Sequence, residues 1–176
     1  MTGLPQPEFS RPVAVDALAP GESVARRIEA GADERAALCE RLDLISLDRL
    51  AAEIELRRLG RDGLILAEGR IEADIVQRCV VTLGPAPAHV EESFEERYAP
   101  EGYEPPDEQE DEDLPEPFDG HEIDIGELAT QILSLAMNPW PRAPDAPPEP
   151  LLAGESAESG KRRPFEGLAE MLKKPE

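Results

Sequence analysis

The chain has 176 residues, enough for one domain plus tails, and it is 40% hydrophobic but only 4% aromatic, so its core must be built mainly from Leu, Ile, Val and Ala. Its net charge of −21 repels phosphate backbones, which disfavours general nucleic-acid binding, and attracts basic partners.

Strands dominate the first hundred residues. Val13 and Val15 close a short apolar run after Phe9, and Val24, Ile28 and Ala30 share one face of a second run. GADERAALCERLDL reads as a short helix with Leu38, Cys39 and Leu42 on one side, where Cys39 behaves as a small hydrophobe. Leu50, Ala52, Ile54 and Leu56 alternate with polar residues as in a half-buried strand, although Leu47, Leu50, Ala51 and Ile54 also fit helical spacing. The turn Gly60–Gly63 favours a hairpin into a long run with Ile71, Ala73, Ile75, Cys79, Val81 and Leu83 on one parity. GPAP at Gly84–Pro87 turns the chain back, and Val90, Phe94 and Tyr98 point one way on the return, with helix again the alternative.

Residues 101–119, EGYEPPDEQEDEDLPEPFD, hold ten acidic residues, no basic ones and four prolines. Like-charge repulsion and proline both oppose compaction, so the segment reads as a disordered acidic insertion. After it, HEIDIGELATQILSLAMNP reads as the clearest helix. Asp124 is placed to cap it, Glu127 to return a hydrogen bond to the cap backbone, and Ile123 and Leu128 to staple the entry. Its apolar stripe runs through Ile125, Leu128, Ala129, Ile132, Leu135 and Ala136 before Asn138-Pro139 ends it. Residues 141–163 read as a flexible Pro-rich linker. Beyond it, residues 164–174 place Phe165, Leu168 and Leu172 at the spacing of a short amphipathic helix.

The sequence argues against an enzyme. Zinc needs three or four converging N or S ligands, and no two of Cys39, Cys79, His89 and His121 are near neighbours. Cys79 shares an apolar parity with Ile75 and Val81, which should raise its pKa rather than activate it, so it reads as structural. There is no phosphate-cradling glycine loop, no GxSxG elbow and no HExxH helix, and the acidic run lacks the glycine and spacing of a calcium loop. No catalytic, metal or cofactor residue is therefore assigned. The opening MTGLPQPEFSRPV lacks the basic start and apolar run of a signal peptide, and no apolar stretch approaches the ~20 residues of a bilayer span. With two cysteines, the expectation is a cytoplasmic protein without disulfides.

The strand leading into CVVTLGPAPAHVEESFEERY, the acidic gap, IDIGELATQILSLAMNPWPR and the terminal RPFEGLAEMLKK together resemble the YceD family, described as large-ribosomal-RNA-subunit accumulation proteins. Many members carry a second cysteine three residues after the first, with a basic residue between; here those places are Thr82 and Val81. A metal or redox role suggested for that pair does not carry over, and the family supplies no catalytic residues. The resemblance implies one domain over residues 8–140 and a role in large-subunit biogenesis, and the genes of family members commonly neighbour one for a small basic large-subunit ribosomal protein.

The expected fold is α+β: a curved antiparallel sheet of about five or six strands with one short and one longer amphipathic helix. Charge and resemblance together point to action through a basic, ribosomal protein partner. Asp107, Glu108, Glu110, Asp111, Glu112 and Asp113 are the candidate contacts, with Phe165, Leu168 and Leu172 as a tethered apolar docking stripe. Two alternatives stay open. One is direct ribosomal RNA contact through Arg57, Arg58 and Arg61, or through Lys161–Arg163. The other is an acidic binding protein unrelated to ribosomes.

Overall fold

The computed structural model describes residues 7–103 and 114–147. In chain order they form β1 (Pro12–Ala14), β2 (Ser23–Glu29), α1 (Ala32–Arg41), β3 (Ser46–Arg58), β4 (Ile65–Arg78), β5 (Pro85–Pro100), β6 (Glu116–Phe118), β7 (Glu122–Asp124) and α2 (Ile125–Ala136). The main sheet has the order β2-β3-β4-β5-β6, antiparallel except for β5 with β6, and β1 pairs with β7 in a separate two-stranded ribbon. The α+β expectation holds. Both segments that also fitted helical spacing, 46–58 and 85–100, are strands, because each pairs along its length with a neighbour and buries one parity.

The register puts the apolar parity of three strands on one face. Leu50, Ile54 and Leu56 on β3 and Ile65, Ile71 and Ile75 on β4 are at most 2% exposed. α1 packs against β3 with Leu38 fully buried, and α2 covers β4 and β5. The core is aliphatic as its composition requires, and among the described residues Phe9 is the one aromatic side chain with no exposure. α2 contributes Ile125, Leu128, Ala129, Ile132 and Leu133, while Leu135 of the expected stripe is 81% exposed at its end. Thr130 lies in the same buried surface and satisfies its hydroxyl by donating to the Gly126 carbonyl at 3.0 Å.

Helix capping follows the sequence in part. Asp124 caps α2, accepting from the Gly126 and Glu127 amides at 3.0 and 3.1 Å. It also accepts from the Ser10 hydroxyl at 2.5 Å and the Arg11 amide at 2.7 Å, fastening the N-terminal segment to the helix. Glu127 does not return a bond to the cap. Its carboxylate instead takes Arg41 at the end of α1 through two bonds of 2.6 and 2.7 Å. Arg41 also reaches Glu8 at 3.0 Å, and these carboxylates hold its pKa above the ordinary arginine value. The back-bonding glutamate belongs to α1: Glu34 accepts from the Gly31 amide at 2.7 Å while holding Arg11 at 2.7 and 3.0 Å.

Two further differences have local causes. The fourth strand ends at Arg78, so Val81 and Leu83 do not continue its buried parity; they sit in the turn, where Leu83 adopts φ 61° and is 68% exposed. Within the segment read as an acidic loop, Glu116–Phe118 form a strand alongside Tyr98–Pro100. The Phe118 ring meets Tyr98 edge-on at 6.3 Å, apolar contact enough to order a short stretch against the local charge. Asp107, Glu108, Glu110, Asp111, Glu112 and Asp113, most of the linker, and Phe165, Leu168 and Leu172 lie outside the described residues.

Two substitutions test this architecture. Asp124→Ala should destabilise by more than the ~1 kcal/mol typical of a lost cap, because two tertiary bonds go with it. Gly126→Ala should cost about 1–3 kcal/mol, since a Cβ there would collide with the backbone of Phe9 and Arg11. Denaturant midpoints measured against the parent chain check both; parent-like midpoints would contradict the packing described.

Candidate functional site

The sheet face opposite the core is a lattice of opposite charges. Strand alternation sends Arg and Glu to this side, where they pair across strands and between residues two apart on one strand. Arg27 meets Glu53 at 3.2 Å, and Arg49 meets Glu72 at 2.9 Å. Arg70 spans Glu72 at 3.0 Å and Glu91 at 2.9 Å, and Arg97 meets Glu95 at 3.1 Å. His89 lies 2.7 Å from Asp74. Exposed pairs of this kind contribute little stability, but they neutralise the arginines that would otherwise offer a basic surface.

The three arginines considered for RNA contact are not brought together on one face. Arg57 belongs to the charged face, bonded to Glu55 at 2.9 Å and 3.7 Å from Glu68, with its pKa raised by these partners. Arg58 projects from the opposite side, donating to the Leu18 and Asp16 carbonyls at 3.1 and 3.3 Å. Arg61, in the β3–β4 turn, shares with Arg58 a small cleft of about 150 Å³ closed by Asp62, Pro100 and Phe118.

Cys79 lies just beyond β4, where its amide donates to the Gly84 carbonyl at 2.8 Å and closes the turn. It forms a separate apolar cluster with Ala86 and Ala143, and has no exposed surface. Its thiol departs from the sequence expectation. The Ala143 amide, the Thr82 hydroxyl and the Thr82 and Val81 amides hydrogen-bond to sulfur, the last two at 3.4 Å, and hold the pKa down at about 6. These donors outweigh desolvation because the thiol sits at the rim of the domain, sealed by the turn and residues 143–146 rather than by deep core. Cys39 behaves as expected, with burial pushing its pKa up.

Beside this turn lies an open groove of about 440 Å³ between β4 and the end of α2, lined by Val80, Leu135, Met137 and Pro141. Gln77 is 8% exposed at its margin, donating to the Asn138 carbonyl at 3.0 Å, while its Oε1 is buried without a partner among the described residues. Gln77 falls on the apolar parity of β4 between Ile75 and Cys79, and a polar residue at that position was the one signal the sequence carried for it. Among the described residues no group of three or more His, Cys, Asp or Glu could hold a metal ion, and no helix is long and apolar enough to cross a membrane.

The lowered thiol pKa carries a sign. The folded value of about 6 lies below the ordinary 9.0, so the thiolate's stabilisation is fully present above pH 9 and lost as pH falls through 6. The melting-temperature difference between the parent and Cys79→Ala should therefore widen from pH 6 to pH 9. A constant difference across that window would mean the donors do not hold a thiolate.

The family model described as "Large ribosomal RNA subunit accumulation protein YceD" matches residues 67–172, more than half the chain, and the chain belongs to that family. The match starts within β4 and takes in the β4–β5 hairpin, the acidic segment and α2. No curated protein and no solved structure matches the chain.

Proposed function

We propose that this YceD-family chain is a non-catalytic factor in large ribosomal subunit biogenesis, working in the cytoplasm without a cofactor. It supports the accumulation of large-subunit ribosomal RNA by binding a basic protein, for which a ribosomal protein is the natural candidate. The family description supports the ribosomal part of this reading and names an accumulation factor rather than an enzyme. The partner's chemistry rests on one observation: Arg27, Arg49, Arg57, Arg70 and Arg97 on the outward sheet face are all held by carboxylates, in a chain of net charge −21. Each phosphate contact made by a basic protein gains from counterion release, and a surface whose cations are already paired gains little. A cationic ribosomal protein, in contrast, would find the surplus carboxylates of the chain, ten of which lie in residues 101–119. Direct RNA contact has one specific observation in its favour, the cleft shared by Arg58 and Arg61.

A deletion strain should show less large-subunit RNA relative to small-subunit RNA, with transcription of both retained. An unchanged ratio would sink the ribosomal reading. Neutralising Asp107, Glu108, Glu110, Asp111, Glu112 and Asp113 should reproduce part of the loss and weaken binding to a basic ribosomal protein. That binding should also fall with salt, because exposed charges are screened beyond about 8–10 Å at physiological ionic strength. Direct RNA binding predicts the reverse pattern: neutralisation strengthens RNA affinity, and replacing Arg58 and Arg61 by Ala weakens it. Measuring both variants for RNA and for basic-protein affinity separates the two mechanisms.

A further inference from the structure

Among the described residues, the strand β5 has a long open edge. The parity of β4 fixes which of its backbone groups face where. The Val76 carbonyl accepts from Ile45 on the β3 side, and the Cys79 amide donates to Gly84 on the β5 side, so the odd-numbered residues of β4 point toward β5. Their register partners Ala86, Ala88, Val90, Glu92, Phe94 and Glu96 turn inward to β4. His89, Glu91, Ser93 and Glu95 consequently turn their amides and carbonyls outward. The neighbour on that side, β6, pairs only with Tyr98–Pro100, and none of these four residues has a backbone partner there among the described residues.

Such an edge invites another strand unless it is guarded. Pro85 and Pro87 guard one end, since neither has an amide to offer. The rest is guarded by charge of one sign. Glu91 and Glu95 are engaged with Arg70 and Arg97 on the outward face, but Glu92 and Glu96 on the other face have no ion pair among the described residues. Between these two lies Phe94, half-buried, its ring close to the space left by Gly69 on β4. Two β5 edges paired antiparallel would set glutamates against glutamates, which costs free energy. The guard therefore rejects acidic strands and a second β5, and it does not reject a basic one.

We propose that the β5 edge between His89 and Glu95 is a docking site for an extended basic segment of a protein partner, which adds to the sheet as a further strand. The occupant pairs its backbone with His89, Glu91, Ser93 and Glu95. On the core-side face it sets a Lys or Arg beside Glu92, an apolar residue beside Phe94 and a second Lys or Arg beside Glu96. The recognised pattern is basic-x-apolar-x-basic in extended conformation. Backbone pairing supplies the affinity, and the alternate side chains supply the selection. The inference deepens the basic-partner reading and rests on it for the occupant's chemistry; the open edge itself does not.

The test uses the full chain and a synthetic nine-residue peptide carrying Lys-Thr-Leu-Thr-Lys at its centre, flanked by Thr and Ser. Binding should slow amide exchange at His89, Glu91, Ser93 and Glu95 and should weaken with salt. A peptide of the same sequence, N-methylated at alternate residues on its pairing edge, keeps its charge and should bind at least ten-fold more weakly. Ser93→Pro removes an outward amide without touching a bond to β4, so it should leave the fold intact and lower peptide affinity by a similar factor. Glu92→Lys with Glu96→Lys should shift preference to the Glu-Thr-Leu-Thr-Glu peptide. Equal binding of the methylated peptide would overturn the proposal in favour of diffuse charge attraction. Protection of the same amides in the free monomeric chain would overturn it because the edge is already occupied. Protection that grows with chain concentration would assign the edge to a second copy instead, through the other open edge at Arg26 and Arg27 of β2. If the edge fails these tests while a basic ribosomal protein still binds the chain with salt sensitivity, the proposed function survives without it. If the peptide pairs as described but the deletion strain keeps its RNA ratio, the edge stands and the ribosomal role falls.

Discussion

One carboxylate ties the two ends of the described domain together. Asp124 ends β7, caps α2 and holds the Ser10 hydroxyl and the Arg11 amide, more than a hundred residues away in sequence. A carboxylate at a helix N-terminus is favoured by the exposed amides and the positive end of the helix dipole. Spending the same group on the N-terminal segment fixes where β1 lies, and hence where Phe9 and Val13 enter the core. Gly126 completes the arrangement, because only a residue without Cβ lets the backbone at Phe9 and Arg11 pass so close to the first turn. Arg41, bridging Glu127 and Glu8, adds α1 to the same junction. Both helices are thereby set over a single face of the sheet.

The sequence made the apolar parities and the α2 cap legible, since each depends on residues a few positions apart. Asp124 was readable as a cap from local spacing, but its bonds to Ser10 and Arg11 depend on a meeting of distant segments that no local pattern records. Glu127 shows the limit well. The capping-box spacing was present, yet a paired guanidinium at Arg41 competes successfully with a lone backbone amide for the same carboxylate. Cys79 shows another limit. Its parity with Ile75 correctly marked it as buried, but its pKa depends on where nearby amides point, and the turn through Leu83 at positive φ aims those of Val81 and Thr82 at sulfur. Parity reports burial, not polarity.

The candidate site was less legible than the fold. Arg57, Arg58 and Arg61 are near neighbours in sequence and looked like a patch, but adjacent strand residues point to opposite faces, so Arg57 and Arg58 cannot cooperate. Arg57 and Arg70 each meet one glutamate two residues away on their own strand, Glu55 and Glu72, and a second from a neighbouring strand, Glu68 and Glu91, which is visible only once the register is known. Net charge does not depend on which residues meet, and so could be read without the fold. It carries no information on where charge lies on the fold, and the open backbone of β5 among the described residues is a property of sheet order alone.

The open edge follows from the way this core is built. An aliphatic core on one face of a sheet needs helices across that face, and the described residues supply two. Both are committed to the layer above β3, β4 and β5, so neither can shield a lateral edge. A barrel would abolish edges by closure, but β2 and β6 are too short, at seven and three residues, to meet along strands of fourteen and sixteen. The chain must therefore manage its edges through side-chain chemistry. Lysine is a common guard elsewhere; here the excess of carboxylates makes glutamate the guard. The choice of sign has a consequence that lysine would not have, because an acidic edge stays receptive to the strongly basic, extended segments that a lysine edge would repel.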